Sequence, residues 1–386
     1  MKGASVAVVG GGVIGASVAY HLAAAGMRDV VVLDRGIAPG SGSTARATGG
    51  FRAQFHTAVN VRLSLLSRSK LLSFRDDTGV DPGYVCAGYL WVASSEPELE
   101  ALRAARAVQH AEGLTEAVEL APDEVSGVND AISLEDAVGA TFCPSDGFIQ
   151  PMEILRGYVS AAESLGARME WDAEVVAMER DAHGRIVRIG TKRETMDVEC
   201  VVNAAGAWAA RIAALAGVVL PVAPLRRQVA VSERCDPLPA LMPMTIFTGD
   251  GFHLRCRDGR AVLCWPTPGN AEDPFDTSVD GEWLREVSSK ARARVPVLRD
   301  VQFPLEHAYA GLYEMSPDSH AILGGARECA NMFLACGSSG HGVMHAPALG
   351  QLLAEIIAGK TPALDVGPLR PSRFAEGQPN PDSWLL

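Results

Sequence analysis

The sequence predicts an α/β protein, in which an N-terminal dinucleotide-binding unit of Rossmann type is joined to a second region of mostly antiparallel strands plus helices. Two observations carry this reading. Residues Val6 to Asp34 spell strand, glycine turn, helix and strand in order. Val218–Val231, Phe252–Leu254 and Arg260–Trp265 alternate or run apolar as strands do, with Pro and Gly between them. Composition agrees with a folded chain: of 386 residues, 48% are hydrophobic and 21% charged. A chain this long buries enough surface to hold a core without disulfide staples.

The N-terminal unit is legible residue by residue. Val6–Val9 is a short continuous apolar run, as in a strand buried on both faces. Gly10-Gly11-Gly12-Val13-Ile14-Gly15 follows at once and fits G-x-G-x-x-G. Ala16 to Ala25 reads as a helix, and Val30–Leu33 as a second buried strand ending at Asp34. Gly10 permits the tight turn, Gly12 lets backbone approach a pyrophosphate, and Gly15 lets helix and strand pack closely. The helix N-terminus offers N–H groups and a positive dipole end to phosphates. Asp34 stands where a carboxylate accepts from a ribose diol. The unit implies a dinucleotide but does not by itself choose between NAD and FAD.

Other features narrow the class. Acids outnumber bases, 46 to 34, for a net charge of -12, which argues against nucleic-acid binding or charge-driven attachment to anionic lipid. It leaves room for a local positive pocket. The eight cysteines are scattered without a Cys-x-x-Cys pair and read as reduced residues of a cytoplasmic protein. His341 and His345 are the one His-x-x-x-His pair; they flank no helical metal face, and no metal site is expected. The apolar runs Ser5–Ala25 and Val201–Val222 are interrupted by glycines or by Asn203 and Arg211, so neither is read as a membrane span, and no leader peptide is expected. Trp283–Val295 and Leu349–Ala358 have helical periodicity, and the Pro-rich tail Pro368–Pro381 is expected to lie over the surface or be partly disordered. From residues alone, Gly337–Met344 reads equally as an anion cradle or as the entry loop of the helix after it.

Five ordered segments resemble the D-amino-acid oxidase-like superfamily of FAD-dependent oxidoreductases, with a glutathione-reductase-like FAD domain. The nearest likeness is to its sarcosine oxidase, dimethylglycine dehydrogenase and proline dehydrogenase β-subunit branch, and it spans nearly the whole chain. The segments are Ser43-Thr44…Thr48-Gly49-Gly50 after Asp34-Arg35; Asp146-Gly147 and Pro151 before a helix ending near Gly166; a strand Glu170–Met178 passing the adenine near Val175; Val201–Trp208, with Ala205, Gly206 and Trp208 beside the cofactor; and the pair Gly311–Asp318 and Gly337–Met344. In the last, Gly337, Ser339, Gly340, His341, Gly342, Val343 and Met344 resemble residues closing over the flavin. The resemblance implies FAD as cofactor. It also implies an FAD domain from 1–85, 145–215 and 310–386, and a substrate domain from 86–144 and 216–309 roofing the flavin.

The implied activity is oxidation of the C–N bond of a secondary or N-substituted amino acid, sarcosine-, N-alkylglycine- or proline-like, with a small amino acid or amine as partner. Arg52 matches a carboxylate-binding position, with an ordinary salt bridge as its bland alternative. Tyr313 stands where D-amino-acid and glycine oxidases carry Arg, which points toward N-substituted substrates. Met344 replaces a carboxylate-binding Lys of monomeric sarcosine oxidases. His253 falls where relatives often have Tyr, and either faces the flavin or is simply buried. The cysteine used for covalent attachment would fall near Gly311 and is absent. Phe55-His56 resembles the segment carrying histidyl-flavin in dimethylglycine dehydrogenases, so His56 is a candidate covalent link beside the non-covalent alternative. Lys290, on an expected helix, is the one Lys between residues 193 and 359, which favours dehydrogenase behaviour over reaction with oxygen. Rival readings are an NAD-dependent dehydrogenase, and a flavoprotein subunit or assembly factor with structural FAD.

Overall fold

The structure is a computed structural model and describes residues 3–266 and 272–381. β1 (Ala4–Val9), α1 (Val13–Ala24) and β2 (Val30–Leu33) form the expected βαβ unit. β1 lies at the centre of an eight-stranded sheet, parallel to β2 on one side and to strand Thr195–Asn203 on the other. Every residue of β2 is buried, which is why it reads as an unbroken Val/Leu run rather than an alternating one. α1 packs on helices Pro151–Ser164 and Gly342–Ile357, closing one face of the sheet. Helix Ala209–Leu215 contributes Ala209 and Ala213 to a separate apolar core on the other face.

The second eight-stranded sheet runs Tyr309–Met315, Ala223–Arg234, Arg260–Cys264, His253–Arg257, Met244–Phe247, Tyr89–Ala93, Gly139–Cys143 and Val118–Leu120. Its pairings are antiparallel except between Met244–Phe247 and Tyr89–Ala93. Helix Gly281–Arg294 buries Trp283, Leu284, Val287 and Ala291 against it, an amphipathic face at helical spacing. By hydrogen bonding, strand 309–315 belongs to this second sheet, although its residues next to the cleft carry the cofactor-like motif.

Three local expectations are corrected. The strand read over Glu170–Met178 is two strands, Arg168–Glu170 and Val175–Arg180, parted at Asp172, whose φ is 55°. A left-handed residue breaks the ladder there. The helix expected from Leu349 starts at Gly342, directly on the Gly340-His341 turn. The Pro-rich tail is pinned rather than disordered: Arg373 is wholly buried and forks onto Asp318, with Nε–Oδ2 and Nη2–Oδ1 both 2.8 Å. Among the described residues, no helix is long and apolar enough to cross a membrane and no group of His, Cys, Asp and Glu suits a metal ion. All eight cysteines are unpaired.

Candidate active site

A cleft of about 1130 Å³ runs between the two sheets, larger than pockets for drug-sized ligands. Its floor is the turn after β1. Gly10 has φ 109°, and a Cβ there would lie 2.3 Å from the Ala204 carbonyl oxygen. Gly12 by contrast lines the cleft, and a Cβ placed there would only touch Thr44 Oγ1 at 3.4 Å. Thr44 Oγ1 accepts the Val13 N–H at 3.1 Å, tying the Ser43-Thr44 segment to the start of α1. Asp34 accepts from the Gly11 and Gly36 N–H groups, each at 2.6 Å, so both carboxylate oxygens are oriented by backbone. Trp171 covers Gly11, and Arg35 stacks over Trp208 at 3.9 Å.

The other wall belongs to the second sheet. Tyr89, Trp91, Met244, Ile246, His253, Trp265 and Tyr313 line it. Arg52 is buried among them. It donates from Nη2 to His341 Nε2 at 3.0 Å and from Nη1 to the Gln54 carbonyl at 3.3 Å, and its guanidinium lies 4.3 Å from the Phe55 ring centroid and 4.9 Å from that of Trp91. Accepting at Nε2 places the His341 proton on Nδ1. Burial, then the Arg52 charge, hold His341 well below the usual imidazole range, so it is neutral. His253 is likewise neutral, pushed down to about 4 by burial. Asp146 fixes the Arg52 segment from behind: Oδ1 accepts the Ala53 N–H at 2.7 Å and Oδ2 the Gln54 side-chain amide at 3.2 Å. Burial raises its pKa to about 7. Gly340, with φ 93°, is required because a Cβ would sit 2.4 Å from the Tyr313 ring.

The cleft brings together most of the sequence-derived residues. Gly10, Gly12, Val13, Ile14, Asp34, Arg35, Ser43, Thr44, Thr48, Gly49, Gly50, Val175, Ala205, Gly206, Trp208, Gly311, Ser339, Gly340, Gly342, Val343 and Met344 line it with Arg52, His253, Tyr313 and His341. Three stand apart. Gly15 lies behind the turn, where a Cβ would meet the Gly10 carbonyl oxygen at 1.8 Å; its role is packing. Gly337 supports the last turn without lining the cleft. His56 faces a small second cavity, with Nε2 3.2 Å from the Pro381 carbonyl oxygen. The structure therefore does not bring His56 to the cleft.

Sequence reasoning missed Trp171, Arg227 and Glu314, all of which line it. Glu314 is next to Tyr313, and burial pushes its carboxyl up to about 7. Its Oε1 accepts the Ser338 N–H at 3.2 Å, while the buried Oε2 has no partner. The cleft-lining Gly12, the oriented Asp34 and this unsatisfied Oε2 fit a dinucleotide lying along the cleft.

Comparison with known proteins agrees with the geometry. Residues 5–356 match the family described as FAD dependent oxidoreductase. Glycine oxidase of Geobacillus kaustophilus is 30% identical over 95% of this chain and 96% of its own length. Dimethylglycine dehydrogenase of Homo sapiens is 26% identical over 97% of this chain but 44% of that protein. The crystal structure of L-proline dehydrogenase from P.horikoshii superposes with a TM-score of 0.90 at 28% identity, covering 98% of this chain and all of that one. The cofactor choice left open by the βαβ unit is thereby FAD, and the chain belongs to the FAD-dependent oxidoreductase family whose members include amino-acid and amine oxidases and dehydrogenases.

Proposed function

We propose that this protein oxidises the C–N bond of an N-substituted or secondary amino acid. The observation that carries the reading is Arg52, a buried guanidinium on the cleft wall, held by His341, Phe55, Trp91 and the Asp146-bound segment. Bound FAD would supply the acceptor for the hydride that leaves the carbon next to the amine. The chain's own residues prepare the substrate for that loss. Arg52 holds the carboxylate by charge-assisted hydrogen bonds and so fixes which carbon faces the cofactor. Tyr89, Trp91, Trp265 and Tyr313 exclude water from the amine end. A buried cation and an apolar wall both favour the neutral amine, whose lone pair forms the C=N bond as the hydride departs. The imine is then hydrolysed by water.

Tyr313 in place of a cation leaves space and aromatic surface beside the nitrogen, which supports a substituted amine. Among the described residues no lysine lines the cleft; Lys290 donates to Asp250 at 2.8 Å, with its Nζ 4.5 Å from the Trp265 ring centroid. This supports a dehydrogenase that passes electrons to an acceptor other than oxygen. We further propose non-covalent FAD, since His56 is held at Pro381, and a cytoplasmic location from the unpaired cysteines. Anaerobic mixing with N-alkylglycines, proline and D-amino acids tests the reading: the flavin should bleach with the N-substituted compounds, and bleaching by primary amino acids alone would contradict it.

A further inference from the structure

We infer that the substrate carries a second carboxylate and that Arg227 binds it; this deepens, and rests on, the amino-acid reading above. Arg227 lies on strand Ala223–Arg234 and lines the cleft. Its cross-strand partner is Gly311, which has no side chain of its own; the Arg46 stem packs over that glycine, with Cβ 3.1 Å from a Cβ placed there. Leu225 pairs with Tyr313 in the same ladder, which puts Arg227 and Tyr313 on one face of the sheet. The guanidinium lies 5.7 Å from the Tyr313 ring centroid, at the edge of cation–π range. Among the described residues its side chain makes no hydrogen bond and no ion pair.

The other cleft arginines are held more closely, by a hydrogen bond or by a ring within 4 Å. Arg46 donates to the Ala310 carbonyl, Arg35 stacks on Trp208 and Arg211 stacks on Phe275. Arg52 is built into its wall as described. Arg227 is largely desolvated, and burial lowers its pKa. A half-buried cation without a counter-ion costs free energy unless an anion arrives. Glu314, one residue from Tyr313 in the ladder, points to the opposite face of the strand and turns Oε1 onto the Ser338 N–H, and Asp146 is committed to Ala53 and Gln54. The cofactor diphosphate is expected at the Gly10–Gly15 turn, where the backbone is open to it. The Tyr313 ring near Arg227 packs on Gly340, and the next residue, His341, accepts from Arg52, so both guanidinium groups line the same stretch of cleft. A monocarboxylate satisfies one of them. An amino acid with a carboxylate on its side chain or on its nitrogen substituent satisfies both.

The test uses the FAD-loaded enzyme and matched substrate pairs: N-methylaspartate against N-methylasparagine, and N-methylglutamate against N-methylglutamine, in both enantiomers. Each pair differs in charge at nearly constant shape. The diacid of at least one pair should be favoured in kcat/KM by about ten- to hundred-fold, the range for hydrogen bonds to a charged group. Arg227→Gln should bring the ratio to within about threefold, and Arg227→Lys should keep most of it. A second readout is binding of glutarate against its monoamide, followed by perturbation of the flavin absorbance, with the same loss of preference in Arg227→Gln. Equal use of acid and amide by the wild type, or a ratio unchanged in Arg227→Gln, overturns the inference while leaving the amino-acid reading standing. Release of FAD from Arg227→Gln with the ratio intact assigns Arg227 to the cofactor and overturns it too. Failure of every amino acid to bleach the flavin overturns both.

Discussion

Arg52 and Glu314 show how burial fits a charged side chain to one task. Arg52 is held by hydrogen bonds to His341 and Gln54 and by two aromatic faces, so it is preorganised before substrate arrives. Arg52→Ala should weaken carboxylate substrates by about 2–5 kcal/mol, the cost of leaving a buried charge unpaired. The flavin spectrum should survive; anaerobic titration of the variant measures both. Unchanged affinity and rate would make Arg52 structural and move the anchor elsewhere. Glu314 has a carboxyl pKa raised from 4.5 to about 7, chiefly by burial. A carboxyl with a folded pKa above its unfolded one binds its proton more tightly in the native state. Stability therefore falls as pH rises from about 4.5 to about 7 and is flat beyond, as far as this group is concerned. Glu314→Gln keeps the acceptor for Ser338 and removes the penalty. It should gain on the order of 2 kcal/mol over wild type at pH 8 and little at pH 4.5, read from urea midpoints. Asp146, raised into the same window, leaves part of the slope in both proteins.

At the level of elements, the final residues act as a strap. Asp318, in the turn after strand Tyr309–Met315, accepts the Arg373 fork together with the Asn380 N–H at 2.9 Å. Burial by itself raises the Asp318 pKa, but these donors more than reverse it and leave it depressed. Arg373→Met should cost about 3–5 kcal/mol, because it strands a buried carboxylate. In wild type this contribution is complete above the unfolded carboxyl pKa of about 4 and is lost as pH falls below it. Thermal melts of the two proteins at pH 7 check the first statement and an acid titration the second. Equal melting temperatures would show that the tail is not an anchor. The elements also show what is readable from a linear sequence. β1, α1 and β2 are legible because consecutive residues carry the backbone demands: the apolar run, the positive φ at Gly10, the acid at Asp34. The break at Asp172 is not, since nothing in a run of mixed residues announces one left-handed position. The strap is hidden for a different reason: Arg373 becomes buried only through a partner 55 residues away.

The whole molecule is a cleft between two sheets, and its two sides were unequally visible in the sequence. The glycine-rich side was recognisable because cofactor approach dictates residue type at each turn. The opposite wall was legible only at His253 and Tyr313: Trp91, Arg227 and Trp265 sit in ordinary strand patterns or at their ends, and only pairing across the second sheet aims them at one space. Met244 reaches that space through the parallel pairing of its strand with Tyr89–Ala93. A dinucleotide spanning the cleft predicts that Gly12→Asp removes bound FAD, since Gly12 lines the cleft at the helix N-terminus where backbone and phosphate must meet. The Gly12→Asp variant should be purified colourless, while acid precipitation of wild type should leave a white pellet and a yellow supernatant. A yellow wild-type pellet would restore a covalent link. The most direct measurement is stopped-flow absorbance of the oxygen-free, FAD-loaded protein mixed with N-substituted amino acids. The account predicts saturable loss of the oxidised flavin bands, with saturation shifted to higher substrate concentration in Arg52→Ala; a protein that carries FAD yet keeps its oxidised spectrum with every amino acid and amine offered would contradict it.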